Sequence, residues 1–311
     1  MRWLSAVRTR PPRAGRRAPP SPPERRSRRA RLQGWARSPW LGVVAVASGL
    51  ARGAEAHAQA ADGARYELRR TAPATLAVEA GGAVGLLVPS LLLPVPESCR
   101  WCSENRFDRA ARRALRAERP MAVGRASHLV SFGLIPAGTL GTLLIPPLAE
   151  GNGRQAAEDA VLLADTALIV TALTNSAKRL AARERPAFHS GQVAEMEYGD
   201  SPRQANQSFF SGDTSLAFGV AAAGTTLAAL RGDATAPYLG VAGAALASGV
   251  GVARLAGDAH YATDVLAGAL VGTALGVAWP LLVHPRAPAL TADAATAQPL
   301  GAPLFRVGGV F

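Results

Sequence analysis

Three groups of residues in the second half of the chain have types and spacing suited to handling an anion. The richest is Arg254-Leu-Ala-Gly-Asp-Ala-His260-Tyr-Ala-Thr-Asp264, in which an arginine lies six positions before a histidine and an aspartate four positions after it. A helix beginning near His260 would place His260 and Asp264 on one face. The carboxylate would then hold the ring N–H and fix the tautomer, leaving the second nitrogen as nucleophile or proton carrier. The plain alternative for such a pair is a helix cap with a partner. The second group closes an apolar run with Lys178 and, seven residues on, Arg185-Pro186. Seven residues are two helical turns, so both cations share a face if the helix persists that far. The third, Ser208-Phe-Phe-Ser211-Gly212-Asp213, opens another apolar run. A Ser-Gly pair at a helix start offers backbone N–H groups and a positive dipole end to an anion.

In that order, K-x6-RP, S-F-x-S-G-x and R-x5-H-x3-D resemble the motifs of the phosphatidic-acid phosphatase type 2 (PAP2) superfamily, which includes bacterial acid phosphatases and vanadium haloperoxidases. The resemblance covers about Lys178 to Asp264, within a core from about 125 to 286. It implies phosphoryl transfer through a phosphohistidine, with His260 attacking phosphorus and Asp264 orienting it. Lys178, Arg185 and Arg254 would hold the phosphoryl oxygens, aided by the Ser211–Gly212 backbone. No metal or other cofactor is implied. One position departs from the pattern. Asp213 stands where the family has the histidine that protonates the leaving oxygen, and a carboxylate does this only if burial or a like charge raises its pKa. Phe210 also replaces a usual proline.

The elements that must position these groups are helical. Apolar runs at Ser127–Leu148, Ala156–Ala177, Ser215–Leu230, Tyr238–Val252 and Val265–Leu282 predict five helices, and no strand alternation competes with them. The expected fold is all-α, a polytopic membrane bundle of five or six apolar helices. Leu76–Pro96 either spans as well or lies as a re-entrant or interfacial piece. Gly268, Gly272 and Gly276 form a small-residue face that permits close helix approach in lipid. Asp165 is expected to face the bundle, and His128 and His189, outside the motifs, read as ordinary interface or loop histidines. If every helix spans, the motifs emerge at one membrane face.

Composition supports a membrane protein: 49% of the 311 residues are apolar and only 5% aromatic. The net charge of +12 does not indicate nucleic-acid binding. Residues 1–39 hold twelve arginines against one acid, Glu24, and so carry +11 of it. Residues 1–60 read as a disordered basic leader followed by a signal-peptide-length run at Trp40–Leu50 and small residues suited to cleavage after Ala60. Residues 61–124 comprise the Leu76–Pro96 piece and an amphipathic basic helix at Asp108–Arg119, suited either to a membrane surface or to a solvated connection. Cys99-Arg-Trp-Cys102 fits a disulfide, a redox pair or half a metal site. Residues 287–311 read as a flexible tail.

The expected substrate is a phospholipid or polyprenyl phosphate, and the expected location an inner (cell) membrane of bacterial type. The family places its site on the extracytoplasmic face. The basic 100–125 loop, by the positive-inside rule, argues for the other side. Replacement of the acid by Asp213 leaves open a phospholipid-binding or structural protein with little turnover, and a phosphotransferase or vanadate-dependent oxidase would use the same pocket.

Overall fold

The computed structural model describes residues 66–68, 73–192, 202–283 and 286–288. The leader, its apolar run, the cleavage site at Ala60 and the tail beyond Pro288 lie outside the described residues. Among the described residues, six helices are long and apolar enough to cross a membrane. These are α1 (Pro73–Leu92), a continuous rod from Pro120 to Ala149, α5 (Gly153–Ala181), α8 (Gly212–Leu230), α9 (Ala236–Ala256) and α10 (Ala262–Val283). The rod consists of α3 (Pro120–His128), a π-helical turn (Leu129–Leu134) and α4 (Ile135–Ala149). Short helices α2 (Arg106–Leu115), α6 (Pro186–His189) and α7 (Pro202–Ala205) lie in the connections. Apart from a three-residue antiparallel ladder joining β1 (Tyr66–Leu68) to β2 (Arg286–Pro288) and a single bridge between Trp101 and Arg183, the described residues form an all-α bundle. Leu76–Pro96 thus supplies a sixth apolar helix.

α8 is the central and most buried span. Its Ala- and Leu-rich faces join Ile135, Leu163, Ala247 and Val250 in one core cluster and Leu143, Leu162 and Ala236 in another. Lipid tails are as apolar as these side chains, so association rests on close packing rather than on escape from water. The glycine face of α10 acts in this way. A Cβ at Gly268 would lie 2.7 Å from the Ser211 carbonyl oxygen, and at Gly272 and Gly276 it would overlap the carbonyls of Ser215 and Gly219. Glycines four apart on α10 therefore seat on Ser211, Ser215 and Gly219, four apart on α8. This contact fixes the start of α10 against the start of α8, where two of the motifs lie.

The π turn has a local cause. Pro136 has no N–H to donate, and its ring crowds the carbonyl four residues back, so the rod widens upstream. The Ile135 amide accordingly reaches the Val130 carbonyl, five residues back. Asp165 is buried, as expected for a charge facing the bundle.

Alternation of the spans brings one end of the bundle together. α1, α5 and α9 finish there, and the rod, α8 and α10 begin there. Lys178 near the end of α5, Gly212 at the start of α8, Arg254 near the end of α9 and Asp264 at the start of α10 therefore share one end.

Candidate active site

His260 precedes α10 rather than beginning it, because the helix starts at Ala262. The expectation of a shared helical face with Asp264 therefore fails. Asp264 Oδ2 is 3.8 Å from His260 Nδ1, and the nearer partner of Nδ1 is the Ser208 carbonyl oxygen at 2.8 Å. A carbonyl only accepts, so Nδ1 carries the proton and Nε2 the lone pair. Arg185 Nη1 lies 3.3 Å from Nε2. The ring is buried. Burial first, then the positive charges of Arg185, Arg254 and Lys178, push its pKa well below the ordinary histidine value, with Asp213 opposing. The imidazole is therefore neutral at neutral pH, with Nε2 in a strongly positive environment.

Asp264 acts on the scaffold around His260. Its Oδ2 accepts from the Ser208 hydroxyl at 2.5 Å and from the Tyr261 amide at 3.0 Å, the reach-back half of a capping box. Ser208, whose carbonyl holds the imidazole, is thus itself held by Asp264. The carboxylate positions the histidine through one intervening residue.

Arg185 does not share a helical face with Lys178. α5 stops at Ala181, Ala182 takes a left-handed conformation with φ of 45°, and the chain turns away. Arg185 reaches the site from the loop, donating Nη1 to the Ala259 carbonyl at 2.8 Å and Nε to the Gln204 carbonyl at 2.9 Å. Lys178 stays on the last turn of α5, with Nζ 3.3 Å from where a Cβ would stand on Gly212. Arg254 is buried, with Nη1 3.1 Å from the Ser127 hydroxyl and 3.4 Å from Asp213 Oδ2.

Ser211 caps α8 and Gly212 is its first residue. The Ser211 amide donates to the Asp264 carbonyl at 3.1 Å, so it is not the anion donor expected of it. The first-turn amides of Gly212 and Asp213, which have no acceptor within the helix, remain for that task.

Three residues outside the motif assignments enter the site or its support. His128 Nδ1 stands 2.8 Å from Asp213 Oδ2, so this histidine is part of the cluster rather than an ordinary interface residue. Arg183 is fully buried. It pairs with Asp108 at 2.6 Å and Asp264 at 2.5 Å, and lies between the rings of Trp101 and Tyr261, at 3.8 and 4.2 Å. Asp108 also accepts from the Thr263 amide at 2.9 Å. Helix α2 is therefore docked on the site. Its Arg112 and Arg116 bind Asp258, at 2.6 and 3.1 Å. Cys99 and Cys102, just before α2, form a disulfide.

A model of the PAP2 superfamily matches residues 159–288. The matched region holds all three motifs and, among the described residues, lies within a bundle of six membrane-length helices. No curated protein matched the chain, and no solved structure did.

Proposed function

We propose that the protein is a membrane phosphatase that hydrolyses a lipid phosphate or pyrophosphate monoester through a phosphohistidine at His260. The observation that carries this reading is the buried, neutral imidazole whose lone-pair nitrogen faces Arg185 within a cluster of cations. Lys178, Arg185, Arg254 and the amides of Gly212 and Asp213 bind the phosphoryl oxygens and stabilise the charge that develops on them. The Nε2 lone pair forms the P–N bond as the ester P–O bond breaks. Water then cleaves P–N and releases phosphate. Asp264 keeps the ring in place through Ser208.

A groove of about 440 Å³ supports a lipid substrate. Ala122, Val123, Ala126 and Val130 line one wall and Leu246, Val250 and Ala253 the other, with Ser127, a neighbour of Arg254, on its edge. Such a slot fits a hydrocarbon chain leading away from the phosphate. We place the site on the extracytoplasmic side. The Cys99–Cys102 disulfide lies at the site end, and disulfides persist in oxidising compartments. Three arginines of the basic loop, Arg109, Arg112 and Arg116, are paired with Glu104 or Asp258, which weakens the opposing charge argument.

The test is phosphate release by purified, detergent-solubilised protein from phosphatidic acid and a polyprenyl pyrophosphate. Release is expected from at least one and should fall at least about 1,000-fold in His260→Ala, the scale of losing a covalent nucleophile. An acid-labile phosphoprotein should be trapped in the wild type only. The carboxylate at Asp213 favours a second reading, a phospholipid-binding protein with little turnover. Folded protein that binds phosphatidic acid vesicles but releases no phosphate would establish that instead.

A further inference from the structure

The proposed reaction leaves one requirement unmet. An alkoxide is a poor leaving group, so the bridging oxygen must receive a proton as P–O breaks. Lys178, Arg185 and Arg254 are needed as charges, and His260 Nε2 must enter the step without a proton. Asp213 Oδ2 lies 3.4 Å from the Arg254 guanidinium and 2.8 Å from His128 Nδ1, an environment that suits it to remain an anion.

We propose that His128 supplies this proton, and that Asp213 is its positioning residue. The inference rests on the phosphatase reading above. His128 ends α3, where the rod enters the site, and its Nδ1 faces the Asp213 carboxylate. That contact keeps a proton on Nδ1 and leaves Nε2 as the exchanging nitrogen. Phe132, one turn on, packs against the ring with centroids 5.6 Å apart. The π turn begins at the next residue, and such turns recur where a helix presents a functional side chain.

The protons balance. In the first step, His260 Nε2 bonds to phosphorus and the P–O electron pair passes to the bridging oxygen. That oxygen takes the proton from His128 Nε2 and departs as an alcohol. In the second step, neutral His128 removes a proton from water, whose oxygen attacks phosphorus. The P–N pair returns to His260, and phosphate leaves with His128 protonated again.

The discriminating experiment varies the leaving group. One substrate is dodecyl phosphate; the other is a nitrophenyl phosphate bearing a tail of equal length, whose phenolate departs without a proton. In full-length, detergent-solubilised protein, His128→Gln should slow dodecyl phosphate hydrolysis about 100- to 1,000-fold and the nitrophenyl ester less than about 10-fold. The alkaline limb of the dodecyl phosphate rate profile should disappear. Asp213→Asn, which leaves His128 in place, should show the same leaving-group dependence to a smaller degree and serves if His128→Gln does not fold. In the background of His128→Gln, Asp213→His should restore part of the dodecyl phosphate rate. Equal slowing of both esters, or no slowing of either, overturns this assignment while His260→Ala remains dead and the phosphatase reading stands. A folded wild type inactive on both esters overturns that reading, and this one with it.

Discussion

Two arginines two residues apart, Arg183 and Arg185, are both buried, yet they are set to opposite uses. Arg183 lies between two carboxylates, Asp108 and Asp264, and between two aromatic rings. Its charge is consumed internally, and it ties α2, the loop after α5 and the start of α10 into one node. Arg185 is held by the neutral carbonyls of Gln204 and Ala259 and presents its guanidinium to His260 Nε2. The first arginine builds the wall of the site and the second supplies field within it. Type and burial alone do not separate these roles; the charge of the partners does.

The largest expected effect tests that division. Arg183→Ala leaves Asp108 and Asp264 buried without their common cation, and breaking a buried pair from one side costs about 3–5 kcal/mol. Thermal unfolding in detergent should show a large loss of stability. Arg185→Ala removes hydrogen bonds to carbonyls, a smaller cost, but should lower kcat/KM about 100-fold or more, as expected for a lost oxyanion donor. If the two variants lose stability equally and keep equal activity, the division between wall and seat is wrong.

A second prediction sharpens the comparison by using His260 as a probe of the seat. Its folded pKa is depressed by burial and by the three cations. An unfolded histidine titrates near about 6.5. Above that value neither state binds the proton and this group adds no slope. Below it the unfolded state binds a proton that the native ring refuses, so stability falls as pH drops from about 6.5 towards the lowered folded value. The limiting slope is about 1.4 kcal/mol per pH unit for one proton. Comparing chemical unfolding of wild type and His260→Gln between pH 7 and 5 should reveal that difference. A wild type no more acid-sensitive than the variant would mean that the imidazole is not buried among cations.

The comparison also shows what the sequence could disclose. The helices were legible from long apolar runs, and the motif residues from fixed spacings that put them at helix ends. Bringing Lys178, Arg185, Arg254 and His260 to one end needed only the alternation of spans. The node around Arg183 was not legible, because Asp108 lies 75 residues away and its helix reads as amphipathic in isolation. His128 was missed for the same reason: its partner Asp213 comes from another helix, and no spacing links them. The Asp264 role was misread because i,i+4 spacing implies a helical face, whereas the chain at His260 is not yet helical.

The end of α5 was misjudged for a different reason, and it supplies the smallest prediction. A glycine after a helix marks a left-handed cap, but here that position is Ala182, which carries no such mark. Its φ of 45° costs an L-residue about 1–2 kcal/mol, part of which a glycine gives back through its greater freedom when unfolded. Ala182 stays because the turn is needed. Its carbonyl accepts the Arg100 amide at 3.0 Å, and the next residues carry Arg183 inward and Arg185 to His260. Ala182→Gly should therefore stabilise the protein by about 0.5–1 kcal/mol, seen as a small rise in Tm, with activity unchanged. A fall in stability would mean that the Ala182 methyl packs favourably enough to outweigh the backbone conformation, and that α5 is stopped by its surroundings more than by this turn.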